Sequence, residues 1–216
     1  ILLRKIGGLV AKTLKKSDRY HHGSLRQACI KQGLRFLSKG QPGFSFRELA
    51  RELKVSPGAP YKHFENKEEL LAAISEEGFH QFSAALRESK AMSENKTPEE
   101  KFMNMGRAYL NFALDNPDHY RLMFSNAVPE HEVYATLHET AQSSFSELTS
   151  MVEGLQKIGY FANDDVMEQS MLIWTQVHGF VSLVIEGRLG FVEERAAISI
   201  DEMNHRLGKL MLKSLT

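Results

Sequence analysis

The sequence predicts an all-α protein, and three observations carry that expectation. Helix-start signals recur along the chain. Apolar residues repeat at the three-to-four spacing of a helix face. No segment sustains the two-residue alternation of a strand bounded by hairpin turns. Ser24-x-x-Gln27, Ser45-x-x-Glu48, Asn66-x-x-Glu69, Thr97-x-x-Glu100, Asp165-x-x-Glu168 and Ser199-x-x-Glu202 match or approximate a capping box. There the first side chain accepts from a free backbone NH three residues on and the second reaches back. Ser56-Pro57, Thr97-Pro98 and Asn116-Pro117 add a cap followed by a proline, whose missing NH costs nothing in a first helical turn. Pro129 is expected to open another helix in the same way. Nine helices follow, over Ser24–Ser38, Phe46–Lys54, Pro57–Phe64, Lys67–Met92, Pro98–Asp115, Pro117–Ser125, Glu130–Ile158, Val166–Glu186 and Ile200–Leu215.

The first 17 residues stand apart. Leu2, Leu3, Ile6, Leu9, Val10 and Leu14 recur at helical spacing beside Arg4, Lys5, Lys12, Lys15 and Lys16. Such a basic amphipathic helix suits an anionic membrane surface. The sequence starts with Ile1 rather than Met, however, and an extension with no folded role is the favoured reading over an anchor. The expected division is 1–17 as extension, 18–66 as a first domain and 67–216 as a second.

Charge supports two units. The 216 residues hold 27 Lys and Arg against 27 Asp and Glu, a formal net charge of zero. Up to Lys67, however, 15 basic residues face four acidic ones, and the remainder holds 12 against 23. A basic segment followed by an acidic one fits a polyanion-binding module joined to a sensor or partner module. No apolar run reaches eighteen residues, and the single Cys29 cannot form an intrachain disulfide, which fits a reducing cytoplasm.

Residues 46–64 read as a short amphipathic helix, a tight turn and a shorter helix. Phe46, Leu49, Ala50 and Leu53 form the apolar stripe, Val55 plugs the turn, and Ser56 caps the second helix with Pro57 at its first position. This is a helix-turn-helix, whose second helix enters the major groove of double-stranded DNA by its N-terminal end. Small Gly58 and Ala59 let the backbone approach base edges. Arg47 and Lys62 suit guanine O6 and N7, whereas Ser45, Tyr61, His63 and Lys67 suit phosphate oxygens.

The stretch Arg19-Tyr20-His21-His22-Gly23-Ser24-Leu25-Arg26, the pattern over Ser45–Phe64 and Asn66-Lys67-Glu68-Glu69-Leu70-Leu71 together resemble the N-terminal region of the tetracycline-repressor (TetR) family. The resemblance implies a cytoplasmic bacterial regulator, nucleoid-associated when bound, that represses transcription as a homodimer on a palindromic operator. It implies that Tyr61, His63 and Lys67 touch DNA backbone, and that Arg47, Pro57, Gly58 and Lys62 lie at or near bases. Pro60 departs from the bulky apolar residue common in the family. It falls in the first turn, so the helix is expected to survive, with its tilt left open.

Farther on, Trp174 and His178 lie four apart on one helix face, followed by Gly179, which costs roughly 1 kcal/mol inside a helix and calls for close packing. The surrounding segment is apolar around its circumference, so it is expected to bury one face in its own core and another against a second subunit. Trp174, His178 and Gly179 resemble a signature of a TetR subgroup, which implies a four-helix dimer contact from the last two helices. Val177, Val181, Val184, Leu207, Leu210 and Met211 are the expected interface residues. A ligand chamber is expected from Phe102, Met105, Tyr109, Phe112, Met123, Phe124, Phe145, Trp174 and His178, with a filled helical core as the alternative for each. All nine methionines lie beyond residue 90, which suits an adaptable cavity for a small, largely apolar ligand. No glycine-rich phosphate loop, metal-spaced His/Cys set or nucleophile–base signature occurs, so no catalytic residue, metal or cofactor is expected.

Overall fold

A computed structural model describes residues 22–128, 134–160 and 165–214. Among these residues every regular element is helical: α1 (His22–Ser38), α2 (Phe46–Glu52), a 3₁₀ turn (Pro60–Lys62), α3 (Lys67–Met92), α4 (Pro98–Asp115), α5 (Pro117–Met123), α6 (Ala135–Gln156), α7 (Val166–Ile185), α8 (Gly190–Ala196) and α9 (Ile200–Ser214). The expected amphipathic extension and the opening at Pro129 lie outside the described residues.

Local chemistry explains the helix starts. Ser45 and Thr97 form complete capping boxes with Glu48 and Glu100. Asn66 accepts from the Glu69 amide, and Asp165 from the amides of Met167 and Glu168. Ser199 accepts from the Glu202 amide at 3.2 Å, while the Glu202 carboxylate turns to Arg206 at 2.7 Å. The start expected at Ser24 falls inside α1, which already begins at His22, and the Gln27 amide reaches the Glu77 carboxylate of α3 at 2.7 Å. Three C-termini close on a left-handed glycine: Gly40 after α1, Gly159 after α6 and Gly187 after α7.

The long helix α3 is the spine. It packs against α1 on one side and α4, α5 and α6 on the other. A side chain at Gly33 would meet Ile74 Cδ1 at 2.8 Å, so α1 lies close on the start of α3. One at Gly78 would meet Met123 Sδ at 2.6 Å, so α5 lies equally close farther along. The buried core runs without a break from Cys29 and Ile30 in α1, through Leu70 and Ile74, to Leu110 and Val181. Burial pushes the Cys29 thiol up to about 11, so it behaves as a small core residue.

Two elements depart from expectation. Helix α8 is additional; it buries none of its residues and has no side-chain cap, so neither an apolar stripe nor a start signal announces it. The helix expected over Pro57–Phe64 is reduced to 3₁₀ geometry. Proline at 60 has no NH to donate to the Ser56 carbonyl, which is taken instead by the Ala59 amide at 2.9 Å. The bonds that follow, Lys62 to Ala59 and His63 to Pro60, keep the tighter three-residue spacing.

Candidate functional site

The first candidate surface lies on α2 and the turn after it. Phe46, Leu49 and Ala50 face the core, which leaves Arg47 outward. The chain leaves α2 through Lys54, a non-glycine residue at φ 55, with Lys54 donating to the Arg51 carbonyl and Val55 to that of Ala50. This Schellman closure turns the backbone sharply, so Ser56, Pro57 and Gly58 stand in solvent beside α2. Phe64 then anchors the segment, 1% exposed.

Of the expected DNA-contacting residues, Ser45, Arg47, Ser56, Pro57, Gly58, Tyr61 and Lys62 are exposed. A side chain at Gly58 would meet nothing within 4 Å, so the open backbone there is free for a close approach. The Tyr61 ring leans edge-on against Phe46 at 4.9 Å, which fixes where its hydroxyl stands. Ala59 is a correction. It is buried with Pro60 and supports the turn from beneath, because the 3₁₀ turn rotates it inward. Ser45 and Lys67 already have partners. The Ser45 hydroxyl closes the cap with Glu48, and the Ser45 amide, then its hydroxyl, donate to the Glu48 carboxylate and hold it below the usual carboxylate range. The Lys67 ammonium donates to the Pro42 carbonyl and lies 4.9 Å from the centre of the Phe44 ring, pinning the loop before α2. His63 is half-buried. Lys54 and Arg51 add exposed cations at the turn; the first was legible only as a lysine two residues before the Ser56 cap.

The second candidate is a cavity of about 630 Å³ between α3, α4, α6, α7 and α9, with Phe124 at one end. Phe102, Met105, Tyr109, Phe124, Phe145 and Trp174 line it as the sequence led us to expect. Phe112, Met123 and His178 do not. Phe112 packs on Phe82 with ring centres 5.1 Å apart, and Met123 fills the notch at Gly78. His178 sits behind the wall, where its Nδ1 is 2.9 Å from the Tyr120 hydroxyl and 3.1 Å from that of Tyr109, and its Nε2 is 3.3 Å from Ser182. With Nδ1 accepting a tyrosine proton and Nε2–H donating to Ser182, the neutral ring is satisfied. Burial holds its pKa below the usual value and, with the neighbouring Tyr120, pushes the Tyr109 hydroxyl well above its own.

Sequence reasoning missed the contributions of α3 and α9. Phe79, Phe82 and Leu86 enter from α3, and Asn204, Leu207 and Met211 from α9. Leu207 and Met211 were expected at a subunit interface, but they line the cavity, Met211 with only 1% exposure. Val181 is another correction: it is fully buried in the chain's own core, and Val177 and Val184 pack against that core. The apolar face that α7 leaves open is carried by Met171, Leu172 and Leu183, each 44–50% exposed, with Gly179 between them and no neighbour within 4 Å of its missing side chain. Leu210 on α9 is 63% exposed. Among the described residues no cluster of three metal-binding side chains occurs, and no helix is long and apolar enough to cross a membrane.

An exposed helix-turn-helix at one end and a lined cavity in a helical second part define a ligand-responsive DNA-binding regulator. Family models agree: residues 35–74 match bacterial regulatory proteins of the tetR family, and residues 102–207 match the tetracyclin repressor-like C-terminal domain. The chain belongs to the TetR family of transcriptional regulators. It is 27% identical over 192 residues to the HTH-type transcriptional regulator YerO of Bacillus subtilis, covering 83% of this chain and 63% of that protein. It is 21% identical over 180 residues to the HTH-type transcriptional regulator Mb1846 of Mycobacterium bovis, covering 71% and 77% respectively. Among solved structures, a protein of unknown function from Rhodococcus sp. RHA1 superposes with a TM-score of 0.76 at 28% identity, covering 92% of this chain and 98% of that one.

Proposed function

We propose that this regulator is a repressor that binds a near-palindromic operator as a homodimer and leaves it when a small, largely apolar ligand fills the cavity. The reading unit is 18–66 and the sensing and dimerising unit 67–216, in the bacterial cytoplasm and at the nucleoid when bound. Arg47 and Lys62 read bases from either side of the turn, with Pro57 and Gly58 close to the groove floor. Tyr61, His63 and Ser56 hold the phosphate backbone, and Lys67 acts chiefly by fixing the loop at Pro42. The second copy docks on the open face of α7 around Leu172, Gly179 and Leu183, with Leu210 of α9 beside it.

The observation that carries this reading is that cavity and reading turn share one helix. Phe79 and Phe82 of α3 form part of the cavity wall, and the same helix begins three residues after the Phe64 anchor. A guest that moves α3 therefore moves the reading turn. Ligand and operator are then linked: a ligand that weakens operator binding by some factor must itself bind the operator-bound form more weakly by that factor.

Trp174 lines the cavity and is the chain's sole tryptophan, so its emission reports occupancy. An operator chosen from randomised duplexes, titrated with apolar compounds, should be released by those that change Trp174 emission. Compounds that release DNA while leaving Trp174 emission and quencher accessibility unchanged would place the sensing site elsewhere.

A further inference from the structure

Several polar side chains reach the cavity wall, and most are paired within the chain: Gln142 with His138, Tyr109 with His178, and the Thr149 hydroxyl with the Ser146 carbonyl. Asn204 of α9 is 8% exposed, lies on the cavity wall, and its carboxamide has no hydrogen-bond partner among the described residues. With its donors uncommitted and apolar side chains beside it, this carboxamide is placed to donate to an oxygen of a bound ligand. Asn204 also borders a second, outer groove between α4 and α9. Among the described residues Met103 and Asn204 are the two that line both spaces.

The partition between them is thin. Met103 of α4 fills the notch left by Gly208, its Sδ 2.6 Å from where a side chain at 208 would begin. A flexible thioether resting on a glycine is a wall that can swing without moving either helix. Beyond it the groove is basic. Lys96, Arg107, Lys209 and Lys213 line it against Glu99 and Glu100. Both carboxylates are occupied: Glu99 accepts from the Tyr160 hydroxyl at 2.6 Å, and Glu100 caps Thr97 and pairs with Lys96. Arg107 and Lys209 are exposed and make no hydrogen bond or ion pair among the described residues, although Glu202 acts on Lys209 at longer range.

Building on the sensing role proposed above, we infer that the ligand is an anionic amphiphile. Its apolar tail fills the cavity, its carbonyl or carboxylate oxygen accepts from Asn204, and its anionic head extends past Met103 toward Arg107 and Lys209. A neutral apolar guest would fill the same space and leave Asn204 unpaired.

Calorimetry with octanoate, decanoate, laurate, dodecanol and lauroyl-coenzyme A tests this on the full chain, with Trp174 emission as a second readout. Affinity should rise roughly fourfold per added CH₂ along the acid series until the cavity is full. Laurate should bind roughly tenfold more tightly than dodecanol. Replacing the two cations nearest in role to the head, Arg107→Gln with Lys209→Gln, should remove most of that advantage at low salt and leave dodecanol unchanged. Asn204→Leu should weaken laurate without weakening dodecanol. A larger loss for lauroyl-coenzyme A than for laurate in the double variant assigns a phosphate-bearing head; the reverse assigns a free carboxylate. Equal affinities for laurate and dodecanol, both indifferent to the double variant, would overturn the amphiphile and leave the apolar cavity as the sensing site. If none of the tailed compounds binds, the sensing reading falls as well.

Discussion

The proposed reading unit packs on α3, the first helix of the proposed sensing unit, through one continuous core, yet the two are finished to different degrees. In the reading unit the ends of α2 are closed by the Ser45–Glu48 box and the Lys54–Val55 turn, and Leu49 and Phe64 are sealed from solvent. What remains outside is mostly polar or cationic. The second unit encloses a cavity of about 630 Å³, leaves the hydroxyls of Ser83 and Ser170 unpaired among the described residues, and exposes Leu172, Leu183 and Leu210. Voids and unpaired polar groups cost stability, so under the proposed function this half gains most from a guest and a second copy. A surface that must present fixed groups to DNA is prebuilt, whereas a surface that must respond is left incomplete.

The largest test of that contrast uses two residues on one helix. Val181→Glu places an unpaired charge in the core and should cost about 4 kcal/mol or more, giving unfolded or insoluble chain. Leu183→Glu changes an exposed residue and should give a folded monomer with an unaltered helical circular-dichroism spectrum and weakened operator binding. Gly179→Leu should do the same, because nothing in its own chain obstructs the added side chain. Sedimentation showing Leu183→Glu and Gly179→Leu still dimeric would move the interface off this face.

Effects of intermediate size separate reading from positioning. Arg47→Ala and Lys62→Ala should each cost roughly 1–3 kcal/mol at one base position and relax preference there. Tyr61→Phe should weaken all sequences alike. Lys67→Ala should do so too while also lowering the melting temperature, since the lysine ties Pro42 and Phe44 to α3. Gly58→Ala should leave stability within about 0.5 kcal/mol and still weaken operator binding, because the methyl group points into open space that DNA would occupy. Selections on randomised operators at two salt concentrations read all of these. Uniform losses with unchanged base preference in every variant would cancel the assignment of Arg47 and Lys62.

Acid should separate the two units more gently. Burial holds His178 and His119 below their ordinary 6.5, so the unfolded chain takes up these protons first as pH falls. Stability from the sensing unit is therefore complete above 6.5 and declines as pH drops from there toward the lowered folded values. In the reading unit Glu48 is held below its ordinary 4.5, chiefly by the Ser45 amide, so its contribution is present above 4.5 and is lost only as pH falls through the lowered value. Amide exchange across pH 4–7 should show the sensing unit loosening first. Ser45→Ala should cost about 1 kcal/mol at neutral pH and reduce the later acid loss. Simultaneous loosening of both units would contradict these assignments.

The smallest expected effect is at Lys54. Its left-handed backbone penalises any side chain, so Lys54→Gly should raise stability by about 0.5 kcal/mol, the relief of strain offset by glycine's entropy in the unfolded chain. A urea melt that shows a loss instead would mean the lysine side chain supports the turn.

Helix starts were legible because capping is local: the Ser45 and Thr97 boxes form within four residues, whatever the rest of the chain does. The reading turn was legible for the same reason, as was the segregation of charge. Six of the residues that the sequence offered for a chamber line the cavity, whereas Phe112 of the same α4 stripe packs on Phe82, since a stripe marks what is buried and not what it is buried against. Phase and completeness were decided by tertiary structure. An α7 apolar around its circumference carries no internal mark of which face looks inward, so Val181 and Leu183, two residues apart, had equal claims until α4, α6 and α9 packed against it. Leu207 and Met211 turned toward the cavity because Gly208 let α9 settle onto Met103 of α4, a contact between residues 105 positions apart. Pro60 was visible, but its consequence depended on the missing bond to Ser56 and on the Ala59 and Phe64 anchors beneath it. Caps are set by neighbours in sequence; faces, cavities and unpaired groups are set by neighbours in space.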